Sequence, residues 1–344
     1  MKPTMSRTRI IFALVFITGA IGVASLLIGT ETLSPEQAWA EWQSGRPIRE
    51  CPTLSILFYQ RLPRTLTAWL AGSALALVGC AFQALLRNPL ATPYTLGIAS
   101  AGALGAWVAT VFIQGTVLWV TVWTFSPIQA SAFVFASLNA LFIYLLAARN
   151  PRMAPSVLLL TGVTLGMLCN AGILFLRYLA APDRLVVMDR WLMGGVDVVG
   201  FDIVRTLLIG LTPCAILLLA QSAKLDQLGF GTELAASRGV HVGRLQAVVF
   251  FVGSLMTALV ASTVGPIGFV GLIVPHSVRA ITGSRHRILM PVSLFCGGAF
   301  LCFCDIIARR LLTGETPIGI ITSLFGGPFF LYLLTRKRFT DWET

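Results

Sequence analysis

Charge is scarce in this sequence. Only 11% of its 344 residues are Asp, Glu, Lys or Arg, against about 25% in ordinary soluble domains. A soluble domain of this length needs a charged surface, and this composition cannot supply one. Lysine is confined to Lys2, Lys224 and Lys337, and no G-x-x-x-x-G-K-[ST] occurs, so the chain has no P-loop with which to bind a nucleotide. No CxxC pair is present. Cys80, Cys169, Cys214, Cys296, Cys302 and Cys304 lie in apolar runs and only Cys51 in a polar one, which excludes a disulfide framework and a zinc site. The cysteines read as small buried hydrophobes. Histidine is limited to His241, His276 and His286, none with a carboxylate at useful spacing, so neither catalysis nor a metal is expected of them. Ionisable groups at mid-span are lacking too. Arg177, Arg205 and Asp305 fall near span ends, which argues against proton or sodium coupling.

What the sequence has is long apolar runs, with 56% hydrophobic residues overall. Leu66 to Leu86 is 21 residues without a charge. At about 1.5 Å per residue, such a helix crosses a hydrocarbon core of roughly 30 Å. Ten such stretches are expected as spans: 10–29, 66–86, 96–112, 128–148, 157–176, 203–220, 245–264, 267–281, 288–304 and 318–334. The first follows Arg7 and Arg9, but it is longer than a signal-peptide core and ends without a cleavage motif. The fold class is therefore all-α and polytopic, a single transmembrane domain over residues 1–344.

The net charge of +11 then bears on orientation, not on nucleic acid. With both termini in the cytoplasm, 15 of the 25 basic residues fall inside, with only Asp226, Glu233, Asp341 and Glu343 of the 14 acidic ones. That is the bias of the positive-inside rule. Residues 30–60 and 181–202 become outer loops and 221–243 the longest inner loop. Ser34-Pro35-Glu36 reads as a capped helix start, with Trp39 and Trp42 at headgroup level. Leu225, Leu228, Leu234 and Ala235 give the inner loop a partly helical pattern that stops at Gly239. The clustered glycines read mainly as close helix contacts.

Three stretches carry a resemblance: RLPRTLTAWLAGSALALVGCAFQALLRNPLATPYTLGIASAGA from Arg61, GPIGFVGLIVPHSVRAITG from Gly265, and DIIAR from Asp305 followed by PIGIITSLFGG. The chain resembles the permease family of ABC importers that carry iron–siderophore complexes, haem and cobalamin. The resemblance implies a dimer with a second permease, the same or a related chain, and two ATP-binding cassette subunits that hold ATP and Mg. It also implies a periplasmic or lipoprotein substrate-binding protein. No cofactor belongs to this chain, and it performs no chemistry itself. Arg61, Arg64 and Arg309, with Arg310 beside them, would dock the binding protein through its glutamates; from the residues alone, headgroup anchoring stands as the alternative. Asn88, Leu90, Pro155 and Ser156 would form the cytoplasmic gate, although Pro155 stands where a hydroxyl residue is expected and Asn88 reads equally as a helix-ending cap. Leu228, Gly229, Glu233, Leu234, Ala235, Arg238, Gly239 and Val240 would contact the ATPase. The expected function is import of an iron complex across the bacterial inner membrane by alternating access. The alternatives are cobalamin import or, in another class, an ion-coupled carrier of a hydrophobic solute.

Overall fold

The computed structural model describes residues 7–29, 31, 33–112, 126–149, 155–311 and 316–335. Among them every regular element is helical. The helices run α1 (Arg7–Leu27), α2 (Pro35–Gln43), α3 (Pro52–Ser55), α4 (Leu62–Leu85), α5 (Ile98–Phe112), α6 (Pro127–Arg149), α7 (Pro155–Leu179) and α8 (Pro182–Leu192). They continue with α9 (Asp202–Ala220), α10 (Ser222–Leu228), α11 (Thr232–Ser237), α12 (Val242–Val264), α13 (Val270–Thr282), α14 (His286–Arg310) and α15 (Ile318–Thr335). Among the described residues six helical stretches are long and apolar enough to cross a membrane: Pro52–Leu85, Pro127–Ala147, Val157–Leu179, Asp202–Ala220, Val242–Val264 and His286–Arg310. Ala13–Leu27, Ile98–Phe112, Val270–Thr282 and Ile318–Leu333 are shorter apolar helices. Each expected span overlies one of these ten.

α4 is the axis of the bundle. The most apolar stretch of Pro52–Leu85, which contains α4, is 83% buried against 17% for that of Val157–Leu179, so α4 is central and α7 peripheral. Helices α9, α12, α13 and α14 pack around it. In lipid no hydrophobic force draws helices together, so close contact requires small residues at the crossing. A Cβ on Gly72 would land on the carbonyl oxygen of Gly297 in α14, and one on Gly79 on that of Gly271 in α13. These contacts are backbone against backbone. A larger ring closes the neighbouring contact, where Phe82 stacks on Phe250 of α12 at 6.0 Å.

Two prolines make long-range ties. Proline lacks an N–H, so it orphans the carbonyl four residues earlier in a helix. Pro63 leaves the Tyr59 carbonyl free, and it accepts from the Gly200 N–H at 2.8 Å. Pro275 frees the Gly271 carbonyl, which accepts from Gln83 Nε2 at 3.1 Å. Each proline is in this way linked to a partner more than a hundred residues away.

The loop expected over residues 30–60 is shorter than that. Helical structure resumes at Pro52 and passes through a π-helical turn over Ile56–Arg61 into α4. The expected start at 66 treats Arg61, Pro63 and Arg64 as the end of a loop. The wide turn before Pro63 and the buried partners of both arginines let the helix run through them. Ser34 does cap α2, its Oγ accepting from Gln37 N at 3.1 Å. Cys51, expected in a polar loop, is buried. Residues 267–269 do not join the eighth expected span, because Phe269 takes a left-handed φ of 65° and α13 starts after it.

Candidate functional site at the two ends of the bundle

At one end, where α4 begins and α14 finishes, the arginines converge. Arg64 donates from Nε to Asp305 Oδ1 at 3.0 Å, and Arg309 Nη2 lies 2.8 Å from Asp305 Oδ2. Asp305 is fully buried between them. Arg309 Nη2 also donates to the Ser25 carbonyl at 3.0 Å and to Ser25 Oγ at 2.8 Å, and Ser25 Oγ lies 3.0 Å from Thr65 Oγ1. Arg61 caps the end of α1, donating from Nη1 to Leu26 O at 3.2 Å and to Leu27 O at 2.8 Å, and from Nη2 to Glu31 O. A guanidinium there meets both the unpaired carbonyls and the negative end of the helix dipole. Asp197 reaches in from the loop after α8, 3.5 Å from Arg64 and 3.4 Å from Arg190.

Arg61, Arg64, Arg309 and Asp197 line a cleft of about 330 Å³ with Gln60 and Val198. The three arginines are not rim charges. Arg61, Arg64 and Arg309 are 5%, 9% and 4% exposed and engaged inside the chain, and only Arg310 stands exposed. Two guanidiniums on one buried carboxylate leave the cleft wall positive, balanced in part by the half-exposed Asp197.

At the opposite end lie the turn after α4 and the pair α10–α11. Leu228, Ala235 and Val240 are buried and anchor this segment to the bundle. Gly229, Glu233, Leu234, Arg238 and Gly239 face outward. Phe230 is 71% exposed, with the Arg238 guanidinium 5.6 Å above its ring. Phe230 and Leu234 border a cleft of about 490 Å³ that Arg87 closes from the other side. Phe230 was not among the expected contacts; a lone aromatic in a polar loop was its only sequence signal.

Arg87 also went unexpected. It takes a left-handed φ of 47° and donates from Nη2 to the Leu228 carbonyl at 3.1 Å, tying the turn to the end of α10. Asn88 Oδ1 accepts from Leu90 N at 2.8 Å, the local bond of a side chain that ends a helix. Asn88 and Leu90 are half-buried at this turn, while the side chains of Pro155 and Ser156 lie outside the described residues.

One histidine has a carboxylate partner that its sequence spacing does not show. His286 Nδ1 lies 2.8 Å from Asp226 Oδ1, which also accepts from the His286 backbone N at 2.6 Å. The partner comes from 60 residues upstream, beyond any local spacing rule. Nearby, Arg279 Nη2 donates to Gln83 Oε1 at 3.3 Å, which joins α13 to the same end of α4. Among the described residues no three His, Cys, Asp or Glu side chains group as metal ligands.

Comparison with known proteins agrees with this architecture. The FecCD transport family matches residues 14–336. The cobalamin import system permease protein BtuC of Halobacterium salinarum is 39% identical over 81% of this chain and 73% of its own length. The Fe(3+)-citrate import system permease protein YfmE of Bacillus subtilis is 33% identical over 81% of each. Among solved structures, an inward-facing conformation of a protein assigned to the metal-chelate type of ABC transporter superposes with a TM-score of 0.82 at 29% identity. That superposition covers 95% of this chain and 99% of the other.

Proposed function

The chain belongs to the FecCD transport family, and from that premise we propose how it serves as the permease subunit of an ABC importer. The arginine end faces outward and the α10–α11 end faces the cytoplasm. Both termini lie inside and about ten helices cross the bacterial inner membrane. Two permease copies form the pathway, most simply as a homodimer and alternatively with a related chain. Each is docked to an ATPase subunit that holds ATP and Mg, and a periplasmic or lipoprotein binding protein delivers cargo.

Outside, docking involves Arg61, Arg64, Arg309 and the exposed Arg310. Since the first three are paired within the chain, an incoming carboxylate acts at the cleft by taking the place of half-exposed Asp197 on Arg64. Such contacts set register and encounter rate more than affinity. Inside, the outward face of Gly229, Glu233, Leu234, Arg238 and Gly239 meets the ATPase, held in place by buried Leu228, Ala235 and Val240. The gate is formed by Asn88 and Leu90 with Pro155 and Ser156 at the start of α7. Movement of α10 reaches Asn88 through the Arg87–Leu228 bond.

The observation that carries this reading is the pair of exposed apolar side chains, Phe230 and Leu234, on a polar helical segment of a chain without a P-loop. They present a ready contact for a separate motor. The cargo we propose is a ferric complex, either a siderophore or haem. Cobalamin is the second reading, favoured by the 39% identity to a cobalamin permease. Proteoliposomes holding the permease, its ATPase and its binding protein should accumulate a ferric complex only with ATP. Accumulation of cobalamin instead selects the second reading. Uptake driven by an ion gradient with no ATPase present would establish the ion-coupled carrier and overturn the proposal.

A further inference from the structure

α14 begins without a cap of its own. Its N-cap residue, Arg285, makes no side-chain hydrogen bond to the first turn, and that turn contains no acidic residue. Asp226 of α10 supplies what is missing, since its Oδ1 accepts both the backbone N–H of His286 and the Nδ1 of the same residue. A carboxylate at that position satisfies an orphan N–H and meets the positive end of the helix dipole. It can only accept, so His286 Nδ1 carries a proton and the other ring nitrogen, Nε2, is left buried without a hydrogen-bond partner among the described residues. α10 is further seated by Leu225 and Leu228, 0% and 1% exposed.

The other end of α14 holds Asp305 and Arg309, roughly 29 and 35 Å from His286 at about 1.5 Å per residue. Between the two ends α14 touches α4 through the Gly72–Gly297 contact, where neither backbone can yield to the other. A displacement of α10 is thus delivered to the N-terminus of α14, ahead of Pro291, and the last turns of the same helix carry Asp305, the residue that binds Arg64. α11 buries only Ala235 and packs against α12.

We infer that Asp226 is the positioning residue that couples the α10–α11 contact to the arginine end by gripping the N-terminus of α14. The inference rests on the importer reading above and adds the route within the chain. In the reconstituted full complex, Asp226→Ala lowers ATP-driven uptake about tenfold, a usual size for a lost coupling free energy, while ATP hydrolysis persists, so cargo moved per ATP falls. Asp226→Asn keeps an acceptor for the His286 N–H and loses less. His286→Ala combined with Asp226→Ala does no more than Asp226→Ala alone, because one tie is removed in both cases. Wild-type uptake by both Asp226 variants overturns the inference. So does an equal fall of hydrolysis and uptake, which marks a residue that only keeps the complex assembled. If the unaltered complex shows no ATP-dependent uptake, the importer reading itself falls, and the inference with it.

Discussion

The two ends of this bundle treat their polar groups in opposite ways. At the arginine end, charge is turned inward: Arg61, Arg64 and Arg309 are buried and engaged by Asp305, Ser25 and the carbonyls that end α1. At the other end the segment that follows α9 turns apolar groups outward, with Phe230 and Leu234 exposed beside Arg238. One end is already satisfied and must exchange partners in order to bind anything. The other is left incomplete and gains by being covered, since burying apolar area stabilises by about 25 cal/mol per Å². A transient partner suits the first arrangement, and a lasting one suits the second.

The sharpest way to break this contrast is to reverse a charge at the satisfied end. Arg64→Glu faces Asp305 with a like charge and removes the group that an incoming carboxylate would take. Uptake should fall to background in cells whose membranes still contain the protein, and normal uptake would remove Arg64 from docking. Asp305→Ala comes next. It strands two buried guanidiniums, a change that typically costs about 3–5 kcal/mol, and thermal unfolding of the detergent-purified chain should report it. A shift no larger than that of a surface substitution would mean the cluster is wet and weakly coupled.

At the incomplete end the expectation inverts. Phe230→Ala and Leu234→Ala should leave thermal unfolding within about 0.5 kcal/mol of the unaltered chain, as surface changes do. Each should weaken ATPase binding about tenfold, as the truncation of an interface anchor does. Lost stability with full binding would place these side chains in the core instead. The smallest effect belongs to Glu41. Desolvation would raise its pKa, but the N–H groups of Leu54 and Thr53 and the Thr53 hydroxyl bind the carboxylate and hold it below the ordinary value. The folded pKa is thus the lower one. Its contribution is complete above the unfolded value of about 4.3 and is lost as pH falls through the folded value. In Glu41→Gln that part of the acid dependence should disappear from pH-dependent unfolding.

Local chemistry in the sequence predicted much of this structure. Ser34-Pro35 marked the start of α2, the uncharged run from Leu66 marked the central span, and Leu225, Leu228, Leu234 and Ala235 marked the helical segment of α10 and α11. The features that escaped share a cause. Asp305 meets Arg64 across 241 positions, Asp226 meets His286 across 60, and Arg87 meets Leu228 across 141. No periodicity spans such distances. The start of α4 escaped for a different reason. Arg61, Pro63 and Arg64 look like the end of a loop until their partners are known, since proline costs a hydrogen bond only where no other donor takes the freed carbonyl. Gly200 is that donor.

The π-helical turn over Ile56–Arg61 carries a consequence of its own. Such a turn holds one residue more than α geometry needs, and each residue advances a helix by about 100°. If the segment tightened to ordinary α geometry with all its residues kept, everything upstream would rotate by roughly 100° relative to Arg64. Thr53, Leu54 and the Glu41 they bind would turn as one, and the platform that bears Trp39 and Trp42 would point in a new direction. The surplus residue works as a fixed angular offset, setting the compass bearing of the exposed aromatic pair against the cluster of charges that follows it.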